Sequence, residues 1–300
     1  RTNSKYTLAF QSRGSEQAYL DKWRALREIS WVNRFLMGAG FAPPLLRLLK
    51  CRTFIVHHWG PSSKGKSALQ NMIIALWGNP ELLVSTLNRT EISITEIFRH
   101  MTDVPVIYDE KQVSTVDHSQ LIYAICTGQG RERGSKDGGL RQDRQQWLTV
   151  ARTTGEGPLI PESDLGGQFN RVLQINSQAF TDSHDAEAIY PFTAENHGFA
   201  GPAFLRKLGE LLNAKPAEGQ LSGLEQLQAL CQSFRTQLAA RAGIDGNHAQ
   251  YCAIIATAQT LSESWLLGIP LVEAMERALD DATLALQEPA FGIDSPVTRD

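Results

Sequence analysis

The sequence predicts an α/β fold in three parts: a helical segment over residues 1–50, a three-layer α/β core over 51–180 and an all-α domain over 181–300. Three observations predict it. First, a short apolar strand run, Phe54-Ile-Val-His-His58, leads into Gly60-Pro-Ser-Ser-Lys-Gly-Lys-Ser67, and an apolar helix pattern (Leu69, Met72, Ile73, Leu76) follows at once. Second, another strand run, Val104-Pro-Val-Ile-Tyr108, ends in Asp109-Glu110. Third, from Phe199 onward apolar residues recur at helical spacing rather than alternating.

Taken in order, residues 15–50 read as helices, with Trp23, Leu26 and Ile29 on one face. Pro43-Pro44 should start a new helix, because proline is tolerated in a first turn and not in an interior. After the loop helix, Gly78-Asn79-Pro80 is a stop, Leu82–Ser85 reads as a short strand and Thr90–His100 as a helix capped by Thr90 or Ser93. Residues 119–127 form a short buried helix, and Trp147–Arg152 a strand that Thr153-Thr-Gly-Glu156 closes. Val172–Ile175 is the last strand. Four helical patterns follow, ending at Leu286, with a surface loop over Pro216–Gly223 and a patternless tail from Pro289.

Gly60–Ser67 fits G-x-x-x-x-G-K-S at every fixed position, and its strand–loop–helix context is what a phosphate-binding loop requires. Gly60 and Gly65 let the backbone fold into a nest of N–H groups at the positive end of a helix. Gly60, Pro61, Ser62, Ser63, Lys64, Gly65, Lys66, Ser67 and Ala68 are therefore the expected nucleotide-binding residues. Lys66 would reach the β- and γ-phosphates, and Ser67 would hold Mg²⁺ through its hydroxyl. Asp109 and Glu110 lie roughly 40 residues further on, at a strand end in an alternating β/α pattern. Asp109 is expected to share the Mg²⁺, and Glu110 to polarise the attacking water.

Thr154, with Thr153 second, is the candidate for sensing the γ-phosphate beside the Asp109 strand; the other reading is a simple Thr-Gly turn. Arg171, just before the last strand, is either an arginine finger for a neighbouring subunit or an internal ion-pair partner. The Gly-rich stretch 128–144 carries Arg131, Arg133, Lys136, Arg141 and Arg144. These would track a nucleic-acid phosphate backbone, without aromatic side chains for base stacking. The alternatives are a solvated loop, or Arg131 or Arg133 reaching a neighbour's nucleotide.

Composition narrows the classes. Hydrophobic residues make up 42% and charged residues 20%, ordinary for a globular chain. No apolar run is long enough to span a membrane, and no signal peptide is evident. The chain opens on Arg1 rather than Met, as a piece of a longer protein would. Cys51, Cys126, Cys231 and Cys252 lie among apolar residues without metal or disulfide spacing, which suits reduced thiols in a cytoplasm. The net charge of −3 divides unevenly: residues 1–181 carry 22 Lys/Arg against 16 Asp/Glu, and 182–300 carry 7 against 16. Any nucleic acid would thus meet the first half.

The order of these elements resembles domain-of-unknown-function family 927, P-loop ATPases of prophages, plasmids and other mobile elements. The likeness rests on the loop from His57, Ala75-Leu-Trp-Gly-Asn-Pro80, the Asp-Glu strand, Gly128-Gln-Gly-Arg-Glu-Arg133, Trp147–Glu156, Gly166-Gly-Gln-Phe-Asn-Arg171 and Gly198-Phe-Ala-Gly-Pro-Ala-Phe-Leu-Arg-Lys-Leu208, and it runs from about Ser15 to about Leu267. It implies an AAA+/helicase-like ATPase core related to ring helicases of replication initiators. ATP hydrolysis would then fall to Lys66, Ser67, Asp109 and Glu110, with Thr154 as sensor and Arg171 as finger. The sequence departs from the family pattern at Lys111-Gln112 and near Asn247–Tyr251, where arginines are expected.

The expectation is an ATP- and Mg²⁺-dependent helicase or translocase acting on DNA in the replication of a mobile element, as a homo-oligomeric ring with no membrane association. A P-loop kinase, with Arg131–Arg144 as lid, and a nucleotide-gated adaptor are the other classes.

Overall fold

Five short strands build the sheet that positions the site. In this computed structural model the described residues are 5–86, 91–109, 118–129, 146–160 and 166–288. The strands are β1 (Phe54–Trp59), β2 (Ser85–Thr86), β3 (Val106–Asp109), β4 (Val150–Gly155) and β5 (Val172–Ile175). They pair in parallel in the order β2-β3-β4-β1-β5. All six positions of β4 are buried, as are five of six in β1, so both faces of the sheet are covered. That is why Phe54-Ile-Val56 of β1 and Val106-Ile-Tyr108 of β3 read as apolar runs and not as alternation.

Helices α1 (Lys5–Ala9), α2 (Glu16–Ile29), α3 (Trp31–Phe41) and α4 (Pro43–Leu48) precede β1. One residue, Ser30, ends α2 and caps α3, its Oγ accepting from Asn33 N at 3.2 Å. Proline begins α4, as expected. The loop helix α5 (Lys66–Ile74) packs on β3 and β4, with α3 behind it. Arg152 of β4 is wholly buried there, donating through Nε to Gln70 Oε1 at 2.8 Å and through Nη1 to Leu36 O at 3.2 Å.

Two expected strands differ. Leu82 and Leu83 lie in α6 (Pro80–Leu83), because Asn79 caps Glu81 N and Pro80 fixes a first helical turn; only Ser85–Thr86 pairs as strand. The strand expected over Trp147–Arg152 starts at Val150 and runs on to Gly155. Thr153 and Thr154 are therefore inside β4, not in a closing turn.

Helices α7 (Glu91–His100) and α8 (His118–Cys126) follow the expected positions. The sequence reading missed α9 (Ser183–Glu187) and α10 (Ile189–Glu195), both too short for periodicity to mark. Then come α11 (Ala200–Asn213), α12 (Gly223–Ala242), α13 (Asn247–Leu267) and α14 (Leu271–Gln287). Helix α13 is buried along most of its length, packed by α3, α12 and α14. The first and last helices therefore share one core with the sheet. Buried ion pairs fix this contact: Arg27 Nη2 with Glu263 Oε2 at 2.8 Å, and Arg34 with both oxygens of Asp281 at 2.7 and 2.8 Å. Three of the cysteines are buried and Cys51 is partly so; burial pushes the thiols of Cys51 and Cys126 up to about 12, which leaves them unreactive.

Candidate functional site

The site forms where β1, β3 and β4 end together. Register pairs Trp59 with Gly155 and Tyr108 with Thr153, so the carboxyl ends of these strands open on one edge. That edge is where open parallel sheets hold ligands.

The loop leaves β1 at Gly60, whose N–H donates to Gly155 O at 3.2 Å and whose φ is +140°. It re-enters helix at Gly65, in the left-handed region at φ +75°. Glycine is needed at Gly65 twice over, since a Cβ there would also lie 2.2 Å from the Phe180 ring and 2.9 Å from Ala186 Cβ. Pro61, Ser62, Ser63 and Lys64 are exposed at the tip, and Ala68 is buried beneath. Lys66, the first residue of α5, folds over the loop and donates to Gly60 O at 3.0 Å and Pro61 O at 2.7 Å. Burial lowers the Lys66 pKa, and the nearby Glu156 and Asp109 carboxylates oppose that shift.

Asp109 is where the side chains converge. Its Oδ1 accepts from Ser67 Oγ at 3.0 Å and also from Thr154 Oγ1. Three residues from the loop helix, β3 and β4 thus meet at one carboxylate oxygen. These are hard oxygen ligands of the kind Mg²⁺ takes, one carboxylate and one hydroxyl with the rest left to water and phosphate. No set of three or more His, Cys, Asp or Glu side chains among the described residues could hold a metal by itself. The chemistry of Ser67 with Asp109 fits Mg²⁺.

Thr153, the second choice for sensor, points to a different partner. Its hydroxyl lies 2.7 Å from His57 Nδ1, while His57 Nε2 lies 2.9 Å from Gly157 O. A carbonyl only accepts, so the proton sits on Nε2 and Nδ1 accepts from Thr153. His58 Nε2 likewise donates to Ser177 O at 2.9 Å, and burial pushes its pKa down to about 3. Both histidines of β1 brace the strand ends.

Arg171 is not at its own chain's loop. Val172 pairs with Ile55, at the start of β1, so Arg171 sits a strand length away, six residues of about 3.3 Å each. It lies 4.6 Å over the Tyr123 ring and donates to Gly167 O. Glu110 lies outside the described residues, as do Arg131, Arg133, Lys136, Arg141 and Arg144.

Residues with no assigned role in the sequence also reach the loop. Ser62 Oγ donates to Glu156, one residue past β4. Asn176 Oδ1 would lie 3.1 Å from a Cβ on Gly60. The sequence carries a hint of Glu156 in Thr-Gly-Glu, and none of Asn176.

An α/β chain on a five-stranded parallel sheet, with a glycine-bounded loop at the sheet's carboxyl edge, is the class that fold and site define. Residues 1–145, just under half of the chain, match the model of the family "Domain of unknown function (DUF927)", which bears out the resemblance over those residues. Among solved structures the chain is similar to "SCCmec type IV Cch - active helicase", with a TM-score of 0.69 at 17% identity. The similarity covers 93% of this chain and 52% of that one, so the chain spans about half the length of that helicase and shares its fold. No curated protein matches. No helix of the described residues is long and apolar enough to cross a membrane.

Proposed function

We propose that this chain is the ATP-hydrolysing part of a helicase- or translocase-type motor that acts on DNA in replicating a mobile element. The observation that carries the reading is the meeting of Ser67 and Thr154 on Asp109 beside the loop of Lys66. The fold shared with a mobile-element helicase supports it.

The loop amides and Lys66 would bind the β- and γ-phosphates, Lys66 exchanging its bonds to Gly60 O and Pro61 O for phosphate oxygens. Ser67 and Asp109 would hold Mg²⁺, which when bound offsets charge on those phosphates. Thr154, fixed on Asp109, would orient the carboxylate, and Glu110 would take up the proton of the attacking water. Because Arg171 sits at the far end of β1 from its own loop, its action as a finger would need a second copy of the chain, as in a ring. Arg131, Arg133, Lys136, Arg141 and Arg144 would supply the DNA phosphate contacts.

The test is ATP turnover with and without single-stranded DNA, for the wild type, Lys66→Ala and Glu110→Gln. DNA-stimulated ADP formation that both substitutions abolish upholds the motor. Turnover that requires a small-molecule acceptor would make the chain a kinase. ATP binding without turnover would make it a nucleotide-gated adaptor.

A further inference from the structure

The loop between β5 and α9, residues 176–182, lies against both glycines of the phosphate loop. Asn176 faces Gly60, and Phe180 closes on Gly65 so tightly that a Cβ there would meet its ring at 2.2 Å. Whatever fixes this loop therefore fixes the shape of the phosphate loop.

What fixes it comes from the far end of the chain. Glu288, the residue that ends α14, accepts from Asn176 N at 3.1 Å, and Ser177 Oγ lies 2.9 and 3.0 Å from its two oxygens. From the other side, His58 of β1 donates to Ser177 O at 2.9 Å, and Ser30 Oγ donates to Ala179 O at 3.3 Å. Local preference does not explain Glu288. A carboxylate at a helix C-terminus opposes the helix dipole, and burial raises the Glu288 pKa, which makes its charge costly there. The donors on residues 176 and 177 compensate for both.

We propose that Glu288 is a positioning residue for the phosphate loop: it clips Asn176 and Ser177 to the last helix, so that the helical region holds Gly60 and Gly65 in their nucleotide-accepting shape. This rests on the nucleotide-binding reading of Gly60–Ser67. Glu288 touches no phosphate itself; it acts through Asn176, whose side chain adjoins Gly60. The clip joins residues 111 and 112 positions apart in sequence, and a shift of α14 would be felt at the phosphate loop.

The experiment uses the full chain as wild type, Glu288→Ala, Glu288→Gln and Asp280→Ala. Asp280 is an exposed control on the same helix, and it pairs with Arg241 at 2.6 Å. Two readouts are taken: amide hydrogen exchange without nucleotide, and binding of a fluorescent ATP analogue with Mg²⁺. Glu288→Ala should speed exchange over residues 60–67 and 172–182 and weaken nucleotide binding, each about tenfold, as expected for losing charge-assisted hydrogen bonds. Glu288→Gln keeps an acceptor oxygen and should stay within about threefold of wild type on both. Asp280→Ala should change neither. Unchanged exchange in Glu288→Ala, or a Gln variant as damaged as the Ala one, overturns the clip. Should the wild type bind no nucleotide, the nucleotide-binding reading fails, and the exchange data decide the clip by the same criteria.

Discussion

Ser67 Oγ, on the second residue of the loop helix, donates to Asp109 Oδ1 at 3.0 Å across 42 residues of sequence, and Thr154 Oγ1 donates to the same oxygen from β4, the strand between β3 and β1. Two hydroxyls thereby orient the carboxylate. In the proposed ATPase reaction, such preorganisation would avoid spending binding energy on rearrangement.

Asp109→Asn should reduce ATP turnover on the order of a hundredfold or more while leaving the circular dichroism spectrum unchanged, since the amide keeps the shape and loses the charge. Thr154→Val, which removes one hydroxyl of nearly constant volume, should cost about tenfold, and Thr154→Ser should recover most of it. Steady-state rates decide this. Equal rates for Val and Ser would show that the hydroxyl does not matter.

Gly65→Ala should destabilise the fold by at least about 2 kcal/mol, from the left-handed φ together with the collision at Phe180. Thermal unfolding measures it. A melting temperature equal to wild type would mean that residues 176–182 move aside freely.

His58 gives a pH dependence with a definite sign. Its folded pKa lies near 3 against 6.5 in the unfolded chain, so between these values the unfolded chain binds the extra proton. Stability is complete above about pH 6.5 and falls as pH drops toward 3. Urea unfolding at about pH 7 and about pH 5 should differ by about 2 kcal/mol more in the wild type than in His58→Gln. Parallel losses in the two proteins would assign the acid lability to other groups.

Arg34 and Asp281 tie α3 to α14, with Gln259 Nε2 adding a third bond to Asp281 at 2.8 Å. The Asp281 side chain is only 2% exposed, so Arg34→Met should cost about 3–5 kcal/mol by leaving its charge buried and unpaired. Arg34→Met combined with Asp281→Leu should be much milder. Denaturant midpoints of the single and double variants check this, and an additive loss would argue against coupling.

Much of the site was legible because its determinants are local. Gly60, Gly65, Lys66 and Ser67 are consecutive or nearly so, and each residue type follows from what a phosphate loop must do with its backbone. Helix spacing likewise marked α2, α3 and α11 to α14. Strand ends were read less well. Thr153 and Thr154 look like a turn because Thr-Gly is turn chemistry, yet pairing with β1 and β3 carries β4 through them. Leu82-Leu83 look like strand, but Asn79-Pro80 had already set a helical turn.

By itself the sequence determined the loop, the parallel α/β class, the helical regions and the candidate residues, because short-range geometry and periodicity follow from neighbouring side chains. Tertiary structure alone decided that Arg171 lies at the opposite end of the sheet from its own loop, that Thr154 shares an oxygen of Asp109 with Ser67, and that Glu288 reaches Asn176 and Ser177. The reason is physical. Strand order and helix docking are set by burial summed over the whole core, and no local pattern records which distant residues that sum brings within hydrogen-bond reach.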